Sequence, residues 1–407
     1  MESENRQKNK TKYEVRQARS QVLKRIRQIL CAIFIVVLAL FASLYIYCKG
    51  IGADYKEAVS LLFSGRLEEF EGVLNPEKYM EADVVEGFVQ NEHPDESDKF
   101  VALGETLFKV SDNSIVQYTS TGIIAKETRV DMSESRIHKS GKYMVVYSIG
   151  EQMAYMVTEE KLISISLPDP VLVATIGYGG YMAFVLEADN YMSAVAIYNE
   201  QGQNISTRYI QNDAVVWAGV SPDNTYYCIN RISLGDLQAS SYLEYNRMGE
   251  VSAYAMESYP GTLIASCSFA QNGTMVAVAD NKLIHIGVSR KPISEIEVTA
   301  IHAMTQSPEG DVLVSAQVKE SGEHVNRVYI FGRQGDSTFF NTDLAVTSIS
   351  AVNQRICAVI GTGAILYDYS GKVLTSFFAD TNKISDAILY KDSYLLIYKT
   401  TVDKRKY

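Results

Sequence analysis

Ile365–Val373 reads ILYDYSGKV: an apolar run, a polar turn, a glycine and a second apolar run. The same shape returns as QYTSTGII at 117–124, IYNEQGQNI at 197–205, EYNRMGEV at 244–251 and IFGRQGDST at 330–338. Gly122, Gly202, Gly249, Gly335 and Gly371 stand where a tight hairpin needs a residue tolerant of positive φ. Their spacing fits a step of about 41 residues if weaker copies stand near Glu160 and Arg290.

A second marker, a polar turn before an apolar strand, keeps the same beat. It occurs as SGKYMVVYS at Gly141, GGYMAFVLE at Gly180, SPDNTYYCIN at Asn224 and QNGTMVAVA at Gly273. It continues as SPEGDVLVSA at Gly310, NQRICAVIG at Gln354 and KDSYLLIYK at Asp392, with a mean step of about 42 residues. Short alternating strands and tight turns at that period match one blade of a β-propeller, four antiparallel strands that become stable only when stacked on neighbours. The expected fold is therefore all-β, a propeller over 100–407. Seven markers imply seven blades, with eight as the alternative. The last marker lacks a second half and TLFKVSDNSIVQYTSTG, at 106–122, lacks a first half. Joined with ISDAILYKDSYLLIYK, at 384–399, it would form a composite closing blade and remove the open sheet edges.

Ahead of the repeats, Ile29–Cys48 offers twenty residues without a charge, about 30 Å as a helix and enough to cross a bilayer. The run is too long for a cleavable signal, and the bulky LYIYC before Lys49 suits neither cleavage nor lipid attachment at Cys48. Residues 1–28 carry nine Lys or Arg against three Glu, which predicts a basic cytoplasmic tail and an extracytoplasmic C-terminal part. That tail could also lie on anionic headgroups. Residues 49–75 read as a stalk helix: Asp54 and Glu57 resemble a capping box, and Tyr55, Val59, Leu62, Phe63, Leu67, Phe70 and Leu74 fall on one face. Residues 76–99 are acidic and read as a linker, and NEHPDESDK within them has neither calcium-loop nor zinc spacing.

The turns resemble known propeller repeats. SPDN at Ser221 and SPEG at Ser307 look like the Ser-Pro-Asp-Gly turn of WD-like and periplasmic translocation-protein-like propellers, and YDYSGKV looks like the Asp-x-x-Thr-Gly-Lys segment of quinoprotein repeats. The whole chain is similar to bacterial single-pass proteins that carry such a domain outside the membrane. The resemblance covers about three quarters of the chain and implies fold. It departs from the quinoproteins in having Trp217 as its one tryptophan and Leu374 after YDYSGKV, so no quinone site is implied. SPDNTYYC also lacks the glycine and tryptophan of a sialidase box.

The chain carries −10 overall, and with +6 in the tail the rest is strongly acidic, which argues against nucleic acid as a partner. No Gly-x-Ser-x-Gly, His-Glu-x-x-His, Cys-x-x-Cys or phosphate-binding glycine loop occurs. No catalytic, cofactor-binding or metal-binding residue is assigned. His138, His285, His302 and His324 are scattered, His285 and His302 being the pair that neighbouring blades could bring together. Cys228, Cys267 and Cys357 read as buried small hydrophobes rather than a disulfide framework. The sequence points to an extracytoplasmic binding or scaffolding module for an envelope protein, peptide or glycan. The alternative is a glycan hydrolase or lyase, for which two or three carboxylates should line the inner strands of successive blades.

Overall fold

The computed structural model describes residues 41–45, 55, 56, 59 and 84–406, apart from 92–96, 234–237, 251, 333–334, 379–383 and 391. Phe41–Tyr45 are helical. The rest of the expected membrane segment and most of the stalk lie outside the described residues. No helix among the described residues is long and apolar enough to cross a membrane. Residues Asp83–Tyr407 form one compact unit.

The described residues of that unit hold thirty-two strands, β1–β32 in chain order, arranged as eight four-stranded antiparallel sheets. The fold is an eight-bladed β-propeller. Seven sheets are each four consecutive strands, starting with β2 (Lys99–Leu103), β6 (Ser135–Ser140), β10 (Val171–Ile176), β14 (Ala214–Val220), β18 (Ile264–Phe269), β22 (Ala300–Gln306) and β26 (Val346–Val352). The eighth runs β30 (Asp386–Tyr390), β31 (Ser393–Ile397), β32 (Thr401–Lys406) and then β1 (Val84–Gln90).

The ring thus closes through a composite blade, as expected, but by a different strand, and the blades number eight, the alternative to the expected seven. The segment 106–122 belongs to a complete blade of its own, whose first strand is β2. Closure comes from β1, inside the stretch expected to be linker, so the propeller starts at residue 84 and not at 100. β1 pairs with β32, Val84 opposite Arg405 and Val89 opposite Val402. Between Val85 and Val89 the register shifts, with Gly87 at φ 61° and its N–H donating to Asp403 Oδ1 at 2.8 Å. A bulge of this kind breaks the period-two alternation by which a strand is recognised.

The repeated hairpin glycines behave as their sequence context requires. Gly371 has φ 82°, and Asp368 Oδ1 accepts the N–H groups of Ser370 and Lys372 at 2.8 and 3.0 Å, an Asx turn inside ILYDYSGKV. Arg290 takes φ 66° where the sequence placed a weaker copy of the same turn.

The core is divided among the interfaces between neighbouring blades. Phe88, Tyr390 and Leu395 of the closing blade pack with Phe100, Leu107 and Val116 of the next one. Val116 therefore lies against the closing sheet from the blade beside it. Trp217 sits between its own blade and Phe269 of the following one, ring centroids 6.2 Å apart. Cys228, Cys267 and Cys357 are buried free thiols, pushed up from the ordinary thiol range by that burial.

Candidate functional site

In each sheet the first strand faces the axis. Inner strands touch their counterparts in neighbouring blades, as β10 does β14 and β26 does β30, whereas final strands such as Ile124–Arg129 are exposed. An inner strand has a sheet partner on one side only, so its other row of N–H and C=O groups must find partners elsewhere. Side chains of adjacent blades supply several. Ile176 N–H donates to His138 Nδ1 at 3.1 Å, Thr175 Oγ1 donates to Ala218 O at 2.6 Å, and Leu389 N–H donates to Ser350 Oγ at 3.1 Å. Gln306 Nε2 donates to Phe269 O at 2.5 Å, and Lys99 Nζ donates to Ser135 O. These contacts stitch blade to blade around the channel, and they account structurally for Lys99, His138, Gln306 and Ser350 among its polar side chains.

A cavity of about 340 Å³ opens in the channel, lined from β2, β6, β18, β22, β26 and β30. Its wall combines Lys99, His138, Lys139, Gln306, Ser348, Ser350 and Asp386 with the apolar Ile137 and Met304. The eight inner strands together carry three cations, Lys99, Arg136 and Lys139, against one carboxylate, Asp386. In an acidic domain the channel wall is thus locally basic. The carboxylate set that a channel glycosidase or lyase would need is not present on those strands.

Burial governs the titration of these groups. It holds His138 down to about 4, and it pushes Lys139 below and Asp386 above their ordinary ranges. The Lys139 and Asp386 charges oppose each other's shifts, and Asp386 is further held by Ser348 Oγ and by Ala387 N–H at 2.7 Å. Because His138 Nδ1 accepts the Ile176 N–H, the neutral ring carries its proton on Nε2, and protonating Nδ1 would set two donors face to face.

A pH dependence follows. The folded-state value lies below the unfolded 6.5, so the unfolded chain takes up the proton first. Stability is therefore lost as pH falls from about 6.5 to about 4, by ~2–3 kcal/mol from this group between pH 7 and pH 4.5. His138→Asn keeps an acceptor for Ile176 and cannot titrate. Urea unfolding at both pH values is expected to show a correspondingly smaller difference for the variant, and an unchanged difference would contradict the assignment.

The other histidines are not brought together. His285 is buried and meets Phe331 edge-on at 5.1 Å, whereas His302 is exposed on β22, and no hydrogen bond or ring contact joins them among the described residues. Sequence reasoning missed Lys139 and Asp386, which lie on strands whose spatial proximity only the closed ring creates. A second feature it missed is an exposed patch on one blade. The Tyr191 and Tyr209 rings lie with centroids 4.9 Å apart, tilted by 38°, beside Met192, which is 55% exposed.

Comparison with known proteins agrees with this architecture. A family model described as "Family of unknown function (DUF5711)" matches residues 75–406. The chain belongs to that family. The match spans every strand of the propeller, the closing strand β1 included. No curated protein matches the DUF5711 chain. Among solved structures, the computationally designed Ika8 protein is similar at a TM-score of 0.54 and 12% identity, covering 79% of this chain and 100% of its own. Sqt1 of Saccharomyces cerevisiae follows at 0.52 and 10%, covering 77% and 96%. BamB from Moraxella catarrhalis has a TM-score of 0.49 at 9% identity, covering 79% and 100%. At these identities the likeness is one of fold, and the Ika8 and Sqt1 matches agree with the β-propeller seen in the DUF5711 domain.

Proposed function

We propose that this DUF5711 protein is a membrane-anchored, extracytoplasmic propeller that binds a protein or peptide partner of the cell envelope. The observation that carries the reading is the chemistry of the inner strands. One carboxylate among three cations suits recognition, and those strands carry no carboxylate pair for hydrolysis or elimination. The exposed Tyr191–Met192–Tyr209 patch, on the blade that begins with β10, has the composition of contact surfaces rich in tyrosine and methionine. Anchoring rests on the uncharged run 29–48 and the basic residues 1–28, which orient the tail to the cytoplasm. Tethering confines the propeller near its partners and raises their effective concentration.

The test is crosslinking of the full-length protein in its native membrane, followed by detergent solubilisation and identification of what it captures. A photo-reactive residue at Tyr191 is expected to recover a partner exposed outside the membrane. Recovery no greater than from a chain lacking residues 84–407 would overturn the reading.

A further inference from the structure

Of the four charged side chains on the inner strands, three have a polar partner among the described residues. Lys99 is held by Ser135 O, Arg136 lies 3.5 Å from Glu134, and Asp386 Oδ1 accepts from Ser348 and Ala387. Lys139 Nζ makes no hydrogen bond and no ion pair within 4.0 Å among the described residues, although it lines the same cavity as Asp386. Asp386 Oδ2 likewise accepts no hydrogen bond among them. β6 and β30 belong to blades separated by the β2 blade, so an ammonium and a carboxylate line one cavity without an ion pair within 4.0 Å between them.

Two opposite charges held apart in a partly dehydrated cavity each lack the counter-charge that would offset their lost hydration. A plain anion there would satisfy the lysine and repel the carboxylate. A plain cation would do the reverse, and a neutral amide would compensate neither. A small zwitterion compensates both. Its carboxylate would accept from Lys139 Nζ and its ammonium would donate to Asp386 Oδ2. His138 and Ser350 keep hydrogens free for donation, because Nδ1 and Oγ respectively serve as acceptors. The apolar lining, Ile137 and the part-exposed Met304, would take a short apolar side chain. The cavity of about 340 Å³ exceeds the volume of one amino acid.

We propose that the channel between Lys139 and Asp386 is a binding site for a free α-amino acid, held through both its charged groups. The site is distinct from the partner surface and adds a small-molecule ligand to the module's function. No stacked, exposed ring lines it of the kind that would favour a sugar; its one aromatic, Phe100, is buried.

The experiment measures thermal unfolding and calorimetric binding of the full-length protein in detergent with each of the twenty common L-amino acids at millimolar concentration. At least one is expected to raise the unfolding temperature, since a ligand that binds only the folded state stabilises it. Its N-acetyl and its amide derivatives, each lacking one charge, are expected to bind at least tenfold more weakly. Lys139→Met and Asp386→Asn should each lose binding tenfold or more. The double variant K139M/D386N removes both charges together, and it should unfold cooperatively while binding none of the amino acids. Absence of any shift with the wild-type protein would overturn the proposal, as would undiminished binding to the double variant. Equal binding of the N-acetyl derivative would overturn it in favour of a simple anion site. Because partner crosslinking through Tyr191 is read separately, failure here leaves the binding-module reading standing on its own test.

Discussion

Phe88→Ala is expected to lower the unfolding free energy by about 3–4 kcal/mol, the usual cost of emptying a buried aromatic site. Phe88 is 8% exposed in the interface that joins the first and last blades, with Tyr390 at 6.4 Å between centroids and Lys404 Nζ 5.4 Å above its ring. It is carried by β1, the one strand that reaches its sheet from the far end of the chain, so the lost packing weakens the seam of the ring. Gly122→Ala attacks the same seam from the neighbouring blade. Gly122 has φ 82°, and an added Cβ would come 1.9 Å from Phe88 O, so backbone must move. Val85→Ala is the internal control, because Val85 lies on the same strand and is 52% exposed. Denaturant unfolding should find it within about 0.5 kcal/mol of the parent. Equal effects of Phe88→Ala and Val85→Ala would show that the seam contributes nothing special.

Glu244→Ala is expected to cost about 3 kcal/mol for a different reason. Glu244 is 1% exposed and forms ion pairs with Arg208 from the preceding blade and with Arg231 Nε at 3.0 Å on the neighbouring strand. Arg231 also lies 3.1 Å from Asp213. Removing the central carboxylate leaves two part-buried guanidinium groups facing each other without their shared counter-charge. The two arginines retain some access to water, which keeps the cost below that of a fully enclosed pair. Substituting the whole group, as Arg208→Met, Glu244→Leu and Arg231→Met together, should recover most of the lost stability, since similar volume is retained and no buried charge is stranded. If the triple variant is as unstable as Glu244→Ala, shape and not charge would be what Glu244 contributes.

The channel assigns different duties to similar residues. His138 and Lys139 are adjacent in sequence, yet His138 is committed to the backbone of the next blade while Lys139 has no such partner. Stitching of this kind explains why polar residues persist on the inner strands without belonging to a catalytic set, since the unpaired backbone row of each inner strand needs them.

Local chemistry determined much of this molecule before any folding. Turn glycines such as Gly371 and the Asx turn at Asp368 announce hairpins, because positive φ and a side-chain carboxylate bonding its own turn are properties of a few consecutive residues. Their regular return implied stacked four-stranded blades. The tertiary structure alone decided that there are eight, and which strand seals them. β1 hides its pattern behind a bulge at Gly87 and acquires a sheet partner only when Thr401–Lys406 arrives beside it. The charged centre joining Glu244 to two arginines, and the gap between Lys139 and Asp386, were equally silent in the sequence. Neither is a property of consecutive residues: the first forms when two successive blades stack, and the second exists only once the last blade has met the first.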